Sequence, residues 1–255
     1  MSTESEETSG IGHRKARHLS ICTDPLQYSV EGSGAGLEGV RFIHDPLPEI
    51  NEEEVDTRVP FLGHTASLPL FISCMTGGSA RGLAANRALA EAAQRTGIPV
   101  GVGSIRVLFE KPELVPHFDL KPLAPDVPVL ANLGAAQIRS FDQGLIEDML
   151  VRLGVQSLVV HLNPGQELFQ PEGDRDFRGL KKALAAYCRR SRLPVIVKET
   201  GFGMSPALVT ELIEMGSAYV DLAGAGGTNW ITVESYRLDE GDRDVAGEFR
   251  PRHGR

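Results

Sequence analysis

Short apolar runs begin near Pro69, Pro99, Pro128, Ser157, Pro194 and Ala218, and amphipathic stretches lie between them. Most runs stand roughly 30 residues apart, the length of one βα unit. Helical periodicity covers 81–96, 142–153, 177–190 and 205–215, and three of these stretches run into a glycine, Gly97, Gly154 or Gly216, as helix C-termini often do. Runs such as Pro194-Val195-Ile196-Val197 are apolar without alternation, the pattern of a parallel strand covered on both faces. The pattern predicts an α/β fold. A doubly wound open sheet shares this alternation. The (β/α)8 TIM barrel is favoured because every strand end carries polar or glycine-rich residues: Cys74-Met75-Thr76-Gly77-Gly78, Gly103-Ser104, Asn132-Leu133-Gly134, His161 onward, Lys198-Glu199 and Gly224 onward. A barrel gathers such ends at one rim, whereas an open sheet concentrates its ligands at a switch point. Residues 69–236 then form the barrel portion, preceded by a mobile start and irregular lead-in over 1–68.

The densest chemistry follows the run Ser157-Leu158-Val159-Val160, where His161-Leu162-Asn163-Pro164-Gly165-Gln166-Glu167 sets an imidazole, two carboxamides and a carboxylate at a strand end. Each alone is ordinary loop chemistry, since Asn and Pro punctuate loops and a carboxylate suits a helix N-terminus. Four together point to a site. A second feature is His13-Arg14-Lys15-Ala16-Arg17-His18, five potential cations in six positions. Taken as composition alone this is a solvated terminal run. Folded over the strand ends, it would neutralise a diphosphate.

Composition narrows the classes. The chain has 255 residues and 41% hydrophobic content, enough for one large core, and has no apolar span of about 20 residues. This favours a protein with no membrane partner. A net charge of −8, with four Tyr and one Trp, supplies no basic, aromatic-rich surface for nucleic acid. Cys22, Cys74 and Cys188 are odd in number and widely spaced, which fits a reducing compartment better than disulfides or a zinc site. With no basic and apolar leader at the start, the expected location is cytoplasmic.

The order of several motifs resembles one family. Arg14-Lys15-x-x-His18, Phe61-Leu62-Gly63, Met75-Thr76-Gly77-Gly78, Gly103-Ser104-x-Arg106, Ala131-Asn132-Leu133-Gly134, His161-Leu162-Asn163-Pro164-x-Gln166-Glu167, Gln170-Pro171-Glu172-Gly173-Asp174, Val197-Lys198-Glu199 and Ala223-Gly224-Ala225-Gly226-Gly227-Thr228 together resemble the type 2 isopentenyl-diphosphate isomerases. The glycine-rich pieces are shared with other flavin barrels, whereas the His-Leu-Asn-Pro-x-Gln-Glu block is specific. The resemblance implies a (β/α)8 barrel that interconverts isopentenyl and dimethylallyl diphosphate with reduced FMN and Mg2+, NADPH supplying the initial reduction, in a homo-oligomer.

Position by position, the resemblance implies that Cys74, Met75, Thr76, Ser104, Asn132, Lys198 and Thr228 line the flavin. Lys198 would stand beside the anionic reduced ring, where a fixed cation is stabilising; without the resemblance it reads as one half of a Lys-Glu pair with Glu199. Arg14, Lys15, His18, Ser104 and Arg106 would hold the diphosphate, joined by Asn163 and Gln166. Gln166 and His161 would face the reacting carbons. Glu167 would bind Mg2+, a cation that commonly uses one or two carboxylates plus phosphates.

Six βα units are visible where the barrel has eight, and the expectation is a chain shortened at its C-terminus. Residues 237–255 are poor in apolar side chains and read as a disordered tail. In phosphate-binding barrels the loops after strands seven and eight hold the cofactor phosphate, so that cradle is expected to be missing. Two alternatives stay open: an inactive remnant or assembly partner of the family, and another FMN-dependent barrel oxidoreductase. The pairs Arg14-Lys15 and Gln166-Glu167 argue against the oxidoreductase, because hydride transfer from a hydroxy acid needs neither a diphosphate clamp nor Mg2+.

Overall fold

A computed structural model of the chain describes residues 10–32, 34–238 and 240–248. The acidic start expected to be mobile lies outside the described residues up to residue 9, as do residues 249–255 of the expected tail. The strands are β1 (Val59–Phe61), β2 (His64–Ala66), β3 (Val100–Ser104), β4 (Val129–Gly134), β5 (Ser157–His161), β6 (Val195–Lys198) and β7 (Tyr219–Asp221). The α-helices are α1 (Gly10–Thr23), α2 (Ala80–Thr96), α3 (Ala135–Ser140), α4 (Gln143–Leu153), α5 (Pro164–Phe169), α6 (Leu180–Arg190), α7 (Pro206–Glu214), α8 (Trp230–Ser235) and α9 (Glu240–Gly247).

Strands β3 to β7 form one parallel sheet in chain order, β3-β4-β5-β6-β7. Each new strand is laid beside the last with no reversal, so there is no switch point, and this is the order of a (β/α) barrel rather than of a doubly wound sheet. The run expected near Pro69 joins β3 through a single parallel bridge, Ile72 with Val100, and not through a full ladder. Pro69 has no N–H to give, and the register of β3 shifts between Gly101 and Ser104. Bonds from Ile72 N to Pro99 O, Gly101 N to Ile72 O and Gly103 N to Thr76 O nevertheless hold this segment as the sixth line of the sheet.

The unbroken apolar strands have two destinations. Val100, Val129, Ala131, Leu133, Leu158, Val160, Val195 and Val197 pack with helix residues such as Ala90, Ala93, Ile146, Leu150, Leu184 and Leu212. Leu130, Val159 and Ile196 point the other way, where Cys74, Phe61 and Leu62 cover them. Side chains two apart share a strand face. Asn132, His161 and Lys198 therefore form the next layer above Leu130, Val159 and Ile196, at the carboxyl ends of the strands.

Local chemistry sets the boundaries. Ser79, Asp142 and Ser205 cap α2, α4 and α7 by accepting from Gly82 N, Leu145 N and Leu208 N. Helix α6 begins at Leu180 and not at 177, because Gly179 stops it from extending backwards with φ +75°. Inside the lead-in read as irregular, β1 and β2 make an antiparallel hairpin whose turn, Leu62-Gly63, has positive φ at both positions (51° and 75°), as a two-residue hairpin requires. The stretch read as a structureless tail also needs correction over Glu240–Gly247, where α9 forms. Arg243 donates to Ser235 O and Leu238 O, satisfying carbonyls at and just past the end of α8, and Ala246 is buried.

Candidate active site

A cleft of about 120 Å³, open on one side to solvent, lies over the carboxyl ends of the parallel strands. Its lining includes Arg14, Lys15 and His18 from α1, Cys74 and Met75 from the Ile72 line, Ser104 and Arg106 at the end of β3, Asn132, His161 and Lys198 from the layer above the core, and Asn163, Gln166 and Glu167 at the start of α5. The structure thus brings together thirteen of the residues singled out in the sequence. Thr76 and Thr228 do not join them. Thr76 faces a neighbouring pocket with Leu19 and Cys22, and Thr228 is drawn into an antiparallel bridge with Glu31.

Helix α1 is not a solvated run. Positions 14, 15 and 18 share one helical face, and that face turns to the rim. Lys15 Nζ donates to Ser104 O at 3.0 Å and stands 5.0 Å from the centre of the Phe118 ring. Burial, with Arg14 beside it, pulls the Lys15 ammonium down to about 7. Arg14 Nη1 lies 3.5 Å from Glu172 Oε1. Arg106 lines the cleft, its backbone N–H donating to Ser104 Oγ at 3.4 Å, and its guanidinium has no hydrogen-bond or ion-pair partner among the described residues, which leaves that fork for a ligand.

The wall formed by α5 and α8 is a continuous polar network. Glu167 Oε1 accepts from Asn163 Nδ2 at 2.9 Å, and Oε2 accepts from Asp174 N at 2.7 Å. Asn163 Nδ2 also donates to Gln166 Oε1 at 3.1 Å, and Gln166 Nε2 donates to Glu234 Oε1 at 2.9 Å. Glu234 is fully buried, with His18 Nε2 at 2.9 Å and Arg237 Nη1 donating to Oε2. Burial pushes the Glu234 carboxyl up, but His18, Gln166 and Arg237 outweigh it and hold the group below its ordinary range. With its amide nitrogen turned toward Glu234 Oε1 at 3.2 Å, Gln170 accepts from Arg14 Nη1 at 2.8 Å, joining the network to α1. His18 packs edge-on to Trp230, ring centres 5.3 Å apart.

At the floor, Asn132 Nδ2 donates to Val159 O at 3.1 Å and Oδ1 faces His161 Nδ1 at 3.0 Å. Burial first, then Lys198 and Arg14, pulls His161 down to about 3, so it is neutral. Lys198 and Glu199 do not pair through their side chains. Lys198 Nζ donates to Glu199 O at 2.6 Å, while Glu199 Oε2 accepts from the backbone N–H groups of Gly201, Phe202 and Gly203. Burial pushes the Cys74 thiol up to about 12, which makes it an inert apolar wall.

Sequence reasoning missed Gln137, Thr200 and Trp230 in the lining and Glu234 behind it, and gave Gln170 a place in a motif but no role. Glu234 left a legible trace, a lone carboxylate inside Trp230-Ile231-Thr232-Val233-Glu234-Ser235. An acid in an apolar helix needs a buried partner.

Parallel strands in chain order, helices outside and a cation-lined cleft at the carboxyl rim define an α/β-barrel protein of the kind that binds anionic ligands at its strand ends. The chain belongs to the isopentenyl-diphosphate delta-isomerase family. It is 39% identical over 234 residues to the isopentenyl-diphosphate delta-isomerase of Rickettsia typhi, covering 91% of this chain and 68% of that protein. The enzyme of the same name from Borrelia garinii subsp. bavariensis is 43% identical over 227 residues, 89% of this chain and 64% of that one. That from Synechococcus sp. is 44% identical over 230 residues, 90% and 66%. The chain therefore spans about two thirds of the length of these relatives. No family model matches. Among solved structures, a monotopic membrane protein (S)-mandelate dehydrogenase superposes with a TM-score of 0.54 at 14% identity over 82% of this chain and 70% of that one. An active chimera of (S)-mandelate dehydrogenase gives 0.52 at 17% over 89% and 75%. At these identities the likeness is one of fold. No helix among the described residues is long and apolar enough to cross a membrane.

Proposed function

We propose that this chain binds isopentenyl and dimethylallyl diphosphate in the rim cleft and serves their interconversion, with reduced FMN and Mg2+. The observation that carries this reading is the convergence of Arg14, Lys15 and Arg106 on one cleft with Gln166 and Glu167. Three cations and a strand-end hydroxyl suit a diphosphate, and the neutral carboxamide and imidazole beside them suit an uncharged hydrocarbon end.

The residues present fit Mg2+ and the ring of the flavin, while the cradle for the flavin phosphate is the part expected to be missing. Among the described residues no three His, Cys, Asp or Glu side chains cluster as a self-sufficient metal site. Glu167 alone would hold Mg2+, the remaining ligands being diphosphate oxygens and water, which is how this cation usually meets phosphates. Asn163 and Asp174 fix the Glu167 carboxylate in advance. For the flavin, Lys198 keeps two donor protons after its bond to Glu199 O, and Met75, 46% exposed at the rim, offers an apolar surface to a flat ring. Reduced FMN would supply the acid-base group for moving a proton between carbons, NADPH having supplied the reduction. The chain's own residues orient the substrate: Arg14, Lys15 and Arg106 fix the charged end, Gln166 is held by Glu234 and Asn163 against the carbons, and His161 stays neutral beside them. Three free cysteines are in keeping with a cytoplasmic setting. The exposed Phe42, Ile43 and Leu47 are in keeping with a homo-oligomer.

The test is conversion of isopentenyl diphosphate by the purified chain with FMN, a reductant and a titration of Mg2+. Conversion saturating in Mg2+, and shifted to higher Mg2+ by Glu167→Gln, is expected. A folded chain that binds FMN and diphosphate yet converts nothing, or turns over a hydroxy acid instead, contradicts the reading.

A further inference from the structure

The geometry points to Asn132 as a positioning residue that holds His161 with its proton on Nδ1, so that Nε2 presents a lone pair to the cleft and His161 recognises an N–H or O–H donor. The proposal rests on the reading above only in taking the cleft as the place where the reacting ligand lies. Four observations carry it.

Asn132 is buried in the middle of the sheet, and its amide can face only one way. Its nitrogen donates to Val159 O at 3.1 Å on the neighbouring strand, and a carbonyl only accepts. Its oxygen is thereby the atom 3.0 Å from His161 Nδ1. An amide oxygen has no proton to give, so the proton of that bond belongs to Nδ1. The hydrogen bond at one ring nitrogen sets which nitrogen carries the proton.

The second nitrogen is left bare. His161 Nε2 has no partner among the described residues, although the ring lines the cleft. The chain also keeps space there, because a Cβ on Gly134 would lie 3.0 Å from His161 Nε2 and 2.4 Å from Gln137 Oε1. Finally, an imidazolium would carry protons on both nitrogens and could not accept at all. Burial of the ring opposes that form first, and Lys198, paired with His161 in register across β5 and β6, and Arg14 on α1 add to it.

The side chains lining this cleft are otherwise rich in donors, from Arg14, Lys15, Arg106 and Lys198. A neutral His161 with Nε2 bare adds an acceptor at the floor, selecting a ligand that brings its own N–H or O–H to that point. A ligand offering only anionic oxygens gains nothing there. This would orient a two-ended ligand with its anionic group toward α1 and its donor toward β5.

The tautomer is measurable without turnover. Long-range proton-nitrogen NMR correlations on the uniformly 15N-labelled chain at neutral pH, with the His161 ring assigned by its loss in His161→Gln, should show a protonated Nδ1 and a bare Nε2. Asn132→Leu, close in size but without the acceptor, should move the proton wholly or partly to Nε2. Asn132→Asp, whose carboxylate also accepts from Nδ1, should restore the Nδ1 form. A wild-type ring protonated at Nε2, or a doubly protonated ring, overturns the proposal. So does an Asn132→Leu chain that is folded by circular dichroism and leaves the tautomer unchanged. If that variant does not fold, the wild-type spectrum decides alone. A chain with the expected tautomer that binds neither FMN nor a prenyl diphosphate contradicts the proposed function and not this assignment.

Discussion

Lys15 and Glu234 set the electrostatics of the cleft in opposite ways. Burial lowers the Lys15 pKa from 10.5 to about 7. Between those values the unfolded chain binds the proton and the folded chain does not, so the contribution of this residue to stability rises with pH across the window. For an anionic ligand the dependence is reversed. The cationic form binds, and the bound anion restores the proton, so diphosphate affinity should be greatest below about pH 7 and fall by up to about tenfold per pH unit above it. Calorimetry with pyrophosphate in buffers of different ionisation enthalpy should reveal proton uptake that Lys15→Met removes, and equal uptake in the variant contradicts the account. Glu234 instead holds its charge because His18 and Arg237 surround it. Glu234→Gln would leave Arg237 short of its buried partner and should cost on the order of 3 kcal/mol in urea denaturation. A variant as stable as the parent contradicts a paired, charged Glu234. At this scale the sequence was legible where several polar residue types stand together at one strand end, each of them alone having an ordinary loop role. His161, Asn163, Gln166, Glu167 and Lys198 all line the cleft, while Gln170 was read only as part of a motif and Trp230 not at all, because either one has many roles until the chain is folded.

The elements owe their placement to close backbone approaches as much as to apolar periodicity. Gly103 is the sharpest case. A Cβ there would lie 2.5 Å from Thr76 O and 2.6 Å from Thr76 C, main-chain atoms that cannot swing aside. Gly103→Ala should therefore push the Ile72 to Thr76 line off β3, removing Cys74 and Met75 from the cleft while β4 to β7 keep their ladder. The expected result is a loss of flavin affinity of at least about tenfold, with most of the helical circular dichroism retained. Unchanged affinity contradicts the role given to that line. Helices α2, α4, α6 and α7 were readable from period and caps, since each buries one stripe. Hairpin β1-β2 was not readable, because its Leu62-Gly63 turn lacks the usual Asn-Gly signal and each strand has only three residues. Short α5 and α8 were hidden for the same reason, since six residues show too little periodicity. Helix α9 was missed because a single buried Ala246 among charges looks like solvated chain.

At the scale of the molecule, three layers stack along the strand axis: hairpin residues Phe61 and Leu62, the apolar inner faces of Leu130, Val159 and Ile196, then the polar floor of Asn132, His161 and Lys198. Helix α1 closes the top by returning the cations of the first segment to distant strand ends, Lys15 reaching Ser104 across 89 residues of chain. That return was the step sequence alone left open, because a basic run is solvated unless the fold gives it a partner. Here the partners are Ser104, Glu172, Gln170 and Glu234. The proposed role of this assembled cleft is to receive a prenyl diphosphate with Mg2+. It is tested most directly by calorimetric titration of the folded chain with isopentenyl diphosphate in the presence and absence of Mg2+. Saturable binding near one per chain is expected, strengthened by Mg2+ and weakened on the order of a hundredfold by Arg106→Ala, which removes an uncommitted fork. A folded chain that binds no isopentenyl diphosphate, or binds it equally well without Arg106, contradicts it.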